Sequence, residues 1–151
     1  MDEALAIRHA EPVEREVLEG LQRRASLANA GDREALLANP EAIHLPLEQL
    51  EARQVFVAQR GASIAGFAAV LPRAHGDVEL DGLFVDPDLW KTGVGKALVS
   101  HCVSYAREHG ARALHVVANP HAERFYNACG FAFAGTAETQ FGPALLMKRA
   151  V

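Results

Sequence analysis

Two glycines, Gly93 and Gly95, stand where the apolar stretch Leu83–Val85 has passed through an Asp86-Pro87 turn and a helical pattern begins. This combination suits an anion. The first backbone N–H groups of a helix have no intrahelical acceptor, and the aligned peptide dipoles place a partial positive charge at that end. Glycines there remove the side chains that would hold a phosphate away from those N–H groups. Glycine also serves tight packing of helix on strand, so the pair alone does not decide. The spacing excludes two nucleotide-binding patterns. A P-loop needs Gly-Lys followed by Ser or Thr, and here Ala97 follows Gly95-Lys96; the dinucleotide fingerprint needs a third glycine where Leu98 stands.

A second constellation, NPHAERFYNACGF, occupies residues 119 to 131. Asn119 is suited to cap a helix whose first residue is Pro120. Tyr126 carries a phenol with an ordinary pKa of about 10, protonated at neutral pH and able to donate a proton. Two carboxylates, Glu79 and Asp81, share one face of the strand Val78–Val85 with Leu83 and Val85, because strand side chains alternate. The histidines His44, His75 and His121 are isolated. Cys102 and Cys129 lie at no metal-ligand spacing, and no His-Asp pattern accompanies Cys129 to make it a nucleophile; the expectation is two reduced thiols and no metal.

The elements that must position these residues read as α+β. A short strand over residues 4 to 8 precedes a helix with Pro12 at its first position and Val13, Val17, Leu18, Leu21 and Ala25 on one face. Asp32 is expected to cap a short helix ending near Pro40, and Pro46 to open another over residues 46 to 52. Residues 55–58 and 63–71 read as an antiparallel hairpin turning at Arg60-Gly61, and a second hairpin turns at His75-Gly76 into Val78–Val85. Gly82 in mid-strand predicts a bulge or a close backbone approach. A helix runs from Gly93 to His109 with Val94, Ala97, Leu98, His101, Cys102, Tyr105 and Ala106 inward, and Gly110 ends it. A strand over 113–118, a short helix to Ala128 ended by Gly130, and strands near 131–138 and 144–150 complete a largely antiparallel sheet with inserted helices.

The chain has 151 residues, half of them apolar, enough for one buried core and too few for two, so a single domain over 1–151 is expected. The acidic net charge of −4 argues against a nucleic-acid groove, which needs clustered Lys and Arg. Asp2 and Glu3, without a long apolar stretch behind them, predict no secretory leader, and the longest apolar run, Ile64–Leu71, falls far short of the roughly 20 residues of a membrane helix. The expectation is a soluble, cytoplasmic protein with neither membrane nor nucleic-acid partner.

The two constellations together resemble the GNAT superfamily of acyl-coenzyme A-dependent N-acyltransferases. The matching residues are Leu83 to Pro87, Gly93, Gly95, Asn119, Ala122, Phe125, Tyr126, Gly130 and Phe131. One departure stands out: Trp90 replaces the family's Gln or Arg, and Lys91 the glycine often next to it. The resemblance implies the GNAT fold, a mixed, largely antiparallel sheet flanked by helices, and an N-acetyltransferase that uses acetyl-CoA as co-substrate. It places the pyrophosphate on the N–H groups of Lys91, Thr92, Gly93, Val94, Gly95 and Lys96, with the two ammonium groups nearby. It lays the pantetheine arm as an added strand along Leu83, Phe84 and Val85, with an N–H near Phe84 or Val85 facing the thioester oxygen and with Asn119 and Phe125 also on the cofactor side.

By the same resemblance Tyr126 is the acid that protonates the departing thiolate, and Glu79, with Asp81 as the alternative, is the base, usually through water. The acceptor is a small-molecule or peptide amine framed by residues 13 to 52 and the stretch Gln140–Pro143, where no charge pattern selects one amine. A homodimer is also in keeping with the family. The Trp90 and Lys91 departures leave a different function class open, a non-catalytic acyl-CoA sensor or interaction module on the same fold.

Overall fold

The computed structural model describes residues 4–151, so Asp2 and Glu3, on which the expectation about a leader rested, lie outside the described residues. Among the described residues there are seven strands, β1 (Leu5–His9), β2 (Val55–Arg60), β3 (Ser63–Pro72), β4 (Val78–Val85), β5 (Ala113–Ala118), β6 (Ala132–Thr139) and β7 (Gly142–Ala150). Five α-helices accompany them: α1 (Arg15–Ala28), α2 (Ala30–Ala38), α3 (Leu47–Glu51), α4 (Val94–Glu108) and α5 (Glu123–Ala128). The sheet order is β1-β2-β3-β4-β5-β7-β6. The β4–β5 pair is parallel, whereas β1–β2, β2–β3, β5–β7 and β6–β7 are antiparallel, as expected for an α+β chain with one helical crossover between parallel neighbours. No helix among the described residues is long and apolar enough to cross a membrane.

The chain divides into two compact units. The first comprises Met1–Ala69 and Gly82–Leu98. Its core joins Leu18 and Leu21 of α1, Leu50 of α3, Val55 and Val57 of β2 and Phe67 of β3, with Phe84 packed against them. Burying one such side chain contributes roughly 1.5–3 kcal/mol. Entry into α1 is fixed by Arg8, whose guanidinium donates to both Glu14 carboxylate oxygens at 2.9 and 2.8 Å and to Gln59 at 2.7 Å. That hydrogen bond to Arg8 holds the Glu14 carboxyl below its ordinary pKa.

Three local expectations need correction in this unit. Pro12–Glu14 form a 3₁₀ turn before α1, which changes the phase of the helix, so Leu18, Leu21 and Ala25 are buried while Val13 and Val17 are 83% and 58% exposed. The cap of α2 is Asn29, whose Oδ1 accepts from the Gly31 N–H at 3.1 Å; Asp32 falls in the first turn, where its charge suits the helix dipole. Gly82 does mark a close approach, but of a ring: a Cβ there would lie 3.0 Å from Phe84 Cε2, and its φ is not in the left-handed region.

The second unit comprises Val70–Asp81 and Val99–Val151. Its buried side chains include Val78 and Leu80 of β4, Val99, Cys102, Val103 and Ala106 of α4, Leu114 and Val116 of β5, and Phe131 and Met147. The β3–β4 turn places His75 and Gly76 at φ +67° and +88° and closes with the Arg73 N–H on the Asp77 carbonyl at 2.7 Å. Asp77 is itself a junction, accepting from the N–H groups of Arg112 and Ala113 at 3.0 and 3.3 Å and lying 2.8 Å from His115 Nε2. Gly110 and Gly130, at φ +75° and +88°, end α4 and α5 as the sequence predicts.

Candidate functional site

The glycine-spaced segment belongs wholly to the first unit. It begins at the end of β4, where β3 comes unusually close: a Cβ on Gly66 would lie 2.7 Å from the Phe84 carbonyl oxygen, 3.2 Å from Val85 Cα and 3.3 Å from Leu98 Cδ1. Only a residue without a side chain permits that approach. The Asp86 N–H then donates to the Ala65 carbonyl at 2.8 Å, tying the loop to β3 as the strand ends. Asp86 turns the chain: its Oδ1 accepts from the Asp88 N–H at 3.0 Å, Pro87 supplies the fixed φ of a first helical position, and the Leu89 N–H returns to the Asp86 carbonyl at 2.8 Å. Its Oδ2 lies 3.5 Å from Arg24 of α1, an exposed contact that contributes at most about 1 kcal/mol.

The next three residues set the cradle. Trp90 donates its indole N–H to the Val85 carbonyl at 2.9 Å, and the Thr92 hydroxyl donates to the Leu89 carbonyl. Between these anchors Lys91 has φ +65°, a left-handed conformation that costs a non-glycine residue roughly 1–2 kcal/mol. Gly93 follows at φ +95°, and a Cβ built on it would meet nothing within 4 Å. α4 starts at Val94, with the Ala97 N–H on the Gly93 carbonyl at 3.0 Å, so the N–H groups of Val94, Gly95 and Lys96 precede the first intrahelical bond. Val94 turns its side chain into the core, whereas Lys91, Thr92, Gly93 and Lys96 are exposed. Open space at Gly93, a helix start and two lysines fit a phosphate group.

Leu83, Phe84 and Val85 are half-buried, the Phe84 ring lying 5.3 Å from that of Phe67. The register of β4 with β5 covers Val78–Leu80 and not these three residues, and the Val85 carbonyl receives the Trp90 indole. A carbonyl oxygen has a second lone pair, so that bond does not exclude a further donor.

The remaining sequence-derived residues lie in the second unit. Glu79 accepts from Arg73 Nη1 at 3.2 Å across the turn, and Asp81, two residues on along β4, is exposed. Asn119 caps the helical segment as expected, its Oδ1 accepting from the His121 N–H at 3.4 Å with Pro120 in first position. Tyr126 on α5 is buried, 9% exposed, and set edge-on to Phe125 and Phe131 with ring centroids 5.1 and 5.4 Å away. Burial pushes its phenol pKa above the ordinary value, and the neighbouring thiols of Cys129 and Cys102 push it the same way. Cys102, also buried, is pushed up to about 12, which makes it an inert thiol at neutral pH.

Two contributors were not legible in the sequence pattern, Gly66, which admits the end of β4, and Arg24 beside Asp86; Trp90 stood out there as a departure, but its indole bond to the Val85 carbonyl did not. Gly66 sits in the apolar run 64–71, where a glycine signals close approach without naming its partner.

Residues 22–131 match the family model described as the Acetyltransferase (GNAT) family. A comparison with curated protein sequences finds no match. Among solved structures, the fold is similar to that of the PaiA N-acetyltransferase of Thermoplasma acidophilum in complex with coenzyme A (TM-score 0.78, 17% identity, covering 98% of this chain and 99% of that one). It is also similar to an acetyltransferase of the GNAT family from Streptococcus pneumoniae (TM-score 0.70, 23% identity, 98% and 100% covered). A nourseothricin acetyltransferase is 27% identical at TM-score 0.59, with 64% of each chain covered. With an α+β, largely antiparallel sheet, a glycine-opened helix start and a family match across most of its length, the chain is an acyltransferase that belongs to the GNAT acetyltransferase family.

Proposed function

We propose that this protein, as a single GNAT domain, moves an acetyl group from acetyl-CoA to a primary amine by direct attack. The observation that carries the reading is the loop Trp90–Lys96: a left-handed lysine, an unobstructed left-handed glycine and a helix start in succession. The N–H groups and ammonium groups of residues 91–96 would take the pyrophosphate, and the Leu83–Val85 edge, with Asn119 and Phe125, the pantetheine arm. The coenzyme A held by the Thermoplasma PaiA enzyme supports the choice of ligand.

In the proposed reaction the amine nitrogen forms a bond to the thioester carbon as the C–S bond breaks. The thiolate takes a proton from the Tyr126 phenol, and the amine gives up its own to Glu79, with Asp81 as the alternative base, directly or through water. Burial raises the Tyr126 phenol pKa, so the phenol is protonated at neutral pH, as a proton donor must be. An alkyl amine, with an ordinary pKa of about 10.4, is mostly protonated at neutral pH, hence the base. Two buried thiols without a bridge suit a cytoplasmic setting.

Calorimetric titration of acetyl-CoA into the parent and into Gly95→Asp tests the reading. Saturable binding by the parent and its loss in a folded Gly95→Asp variant, which places a carboxylate among the N–H groups, is the expected result. No binding by the folded parent would overturn it. A binding parent is then screened against amines, amino acids, polyamines and peptides for thiol release.

A further inference from the structure

One imidazole stands beside the carboxylates of β4. Asp77, just before the strand, and Glu79, within it, share a face because strand side chains alternate. In the parallel pair Glu79 stands opposite His115 of β5, and in the antiparallel β5–β7 pair His115 stands opposite Lys148. Neighbouring strands lie about 4.8 Å apart. The His115 ring is turned towards β4, with Nε2 2.8 Å from Asp77 Oδ2, so it lies on the Glu79 face. All four residues belong to the second unit. This face is open: Glu79 and His115 are half-buried, and Asp81, Val117 and Lys148 are exposed.

The contact to Asp77 decides which ring nitrogen can take a proton. His115, with the Arg112 and Ala113 N–H groups, holds the Asp77 carboxyl down to about 2, so at neutral pH it is ionised and only accepts. Nε2 therefore donates, and in the neutral ring Nδ1 keeps the lone pair. The charges facing the ring are the Asp77 and Glu79 carboxylates on the β4 side and the Lys148 ammonium from β7. Glu79 in turn accepts from Arg73 at 3.2 Å, a bond that favours its ionised form. The ordinary pKa of an imidazole, about 6.5, is nearer to neutrality than that of a glutamate carboxyl, about 4.3, and a base works best when its pKa lies near the working pH.

Resting on the acetyl-transfer reading above, we propose that the acceptor's proton comes to rest on His115: Glu79 takes it from the amine, directly or through water, and passes it to His115 Nδ1, while Asp77 fixes the tautomer that can receive it. The amine nitrogen loses one proton as it bonds to the thioester carbon, Glu79 returns to its carboxylate, and the imidazolium between Asp77 and Glu79 releases the proton to solvent before the next turnover. His115 and Asp77 touch no reacting atom in this scheme. They are positioning residues that act through Glu79.

The test needs the tautomer and the rates. Nitrogen-15 NMR of the parent above pH 8 is expected to show His115 with Nε2 protonated and Nδ1 bare; the opposite tautomer overturns the proposal without any acceptor being known. Thiol release is then followed with the fastest amine of the acceptor screen. His115→Gln is expected to lower kcat about tenfold, to leave the KM for acetyl-CoA unchanged and to move the acid limb of the pH-rate profile to lower pH, because the carboxyl left as terminal base has the lower ordinary pKa. Added imidazole should speed His115→Gly about threefold or more and leave the parent unchanged, a response that a merely structural histidine would not give. The double variant Glu79→Gln, His115→Gln should turn over like Glu79→Gln alone, since both residues serve one proton path. A His115→Gln protein with the parent's kcat and profile, losses that multiply in the double variant, or a folded His115→Gly protein indifferent to imidazole overturns this inference and leaves the acetyl-transfer reading standing. A parent that neither binds acetyl-CoA nor releases thiol overturns both.

Discussion

The loop after β4 and the helix α5 handle polar chemistry in opposite ways. The loop is exposed, strained at Lys91 and held by side chains that bond to its own backbone; in the proposed reading it offers N–H groups in a fixed array. Tyr126 on α5 is buried among aromatic rings and thiols, and burial, with the neighbouring thiols, holds its proton in place. In the proposed reading, anion recognition falls to the loop's N–H groups with the nearby ammonium groups, and proton supply to the single phenol of Tyr126.

The largest break in that contrast is expected from Tyr126→Phe, which keeps the packing and removes the acid. Turnover should fall by about a hundredfold, with the acetyl-CoA dissociation constant little changed. Initial rates and calorimetry on the same preparation check this, and unaltered turnover would remove Tyr126 from the chemistry. Since the phenol pKa is raised, its deprotonation should not limit the rate below about pH 10.

Gly66→Val attacks the loop from beneath. With the Phe84 carbonyl 2.7 Å from the would-be Cβ, the end of β4 must shift, costing roughly 1–3 kcal/mol in a melting experiment and weakening acetyl-CoA binding as well. Stability and affinity equal to the parent would mean that the close approach does not set the loop. Glu79→Gln should lower the rate about tenfold near neutrality and move the acid limb of the pH-rate profile. An unmoved profile would reassign the base to Asp81 or water.

These outcomes bear on what the sequence disclosed. The glycines at 110 and 130 were legible because left-handed helix ends are local events, decided by two or three residues, whereas Gly93, read as the first helical residue, stands just before the helix at φ +95°. The alternation that set Glu79 and Asp81 apart from buried Val78 and Leu80 is local too. The exposure of Val13 and Val17 was misread because a 3₁₀ turn shifts helical phase without any periodic signature, and the cap of α2 because Asn29 and Asp32 are both good capping residues three positions apart. Gly66 was missed for the opposite reason: its partner, Phe84, comes from another strand, and spacing along one strand does not encode such an approach. The Trp90–Val85 bond likewise depends on a loop closing back on itself.

The smallest effect is expected in acid stability, at Asp77. His115, with the Arg112 and Ala113 N–H groups, holds its carboxyl down to about 2, below the ordinary value of about 3.9. A depressed folded-state pKa stabilises the fold fully above the unfolded value, and that contribution is lost as pH falls from about 4 towards 2. The melting temperature of Asp77→Asn should therefore depend less on pH than that of the parent in this window. Identical pH dependence would show that the junction carries no net acid sensitivity.

The parallel pairing of β4 with β5 carries a consequence for how the chain comes together. Val78, Glu79 and Leu80 align with Leu114, His115 and Val116, and the bond from the Ala113 N–H to Asp77 already spans 36 positions. A hairpin closes as soon as its turn is made, whereas this pair must wait for the whole of α4. During synthesis, therefore, the Val78–Leu80 edge emerges well before its partner and stays exposed until residues 113–118 have left the ribosome. Fragments that stop at Gly110 should accumulate as aggregates, and a ribosome pausing within α4 should lower the yield of folded protein more than one pausing after Ala118.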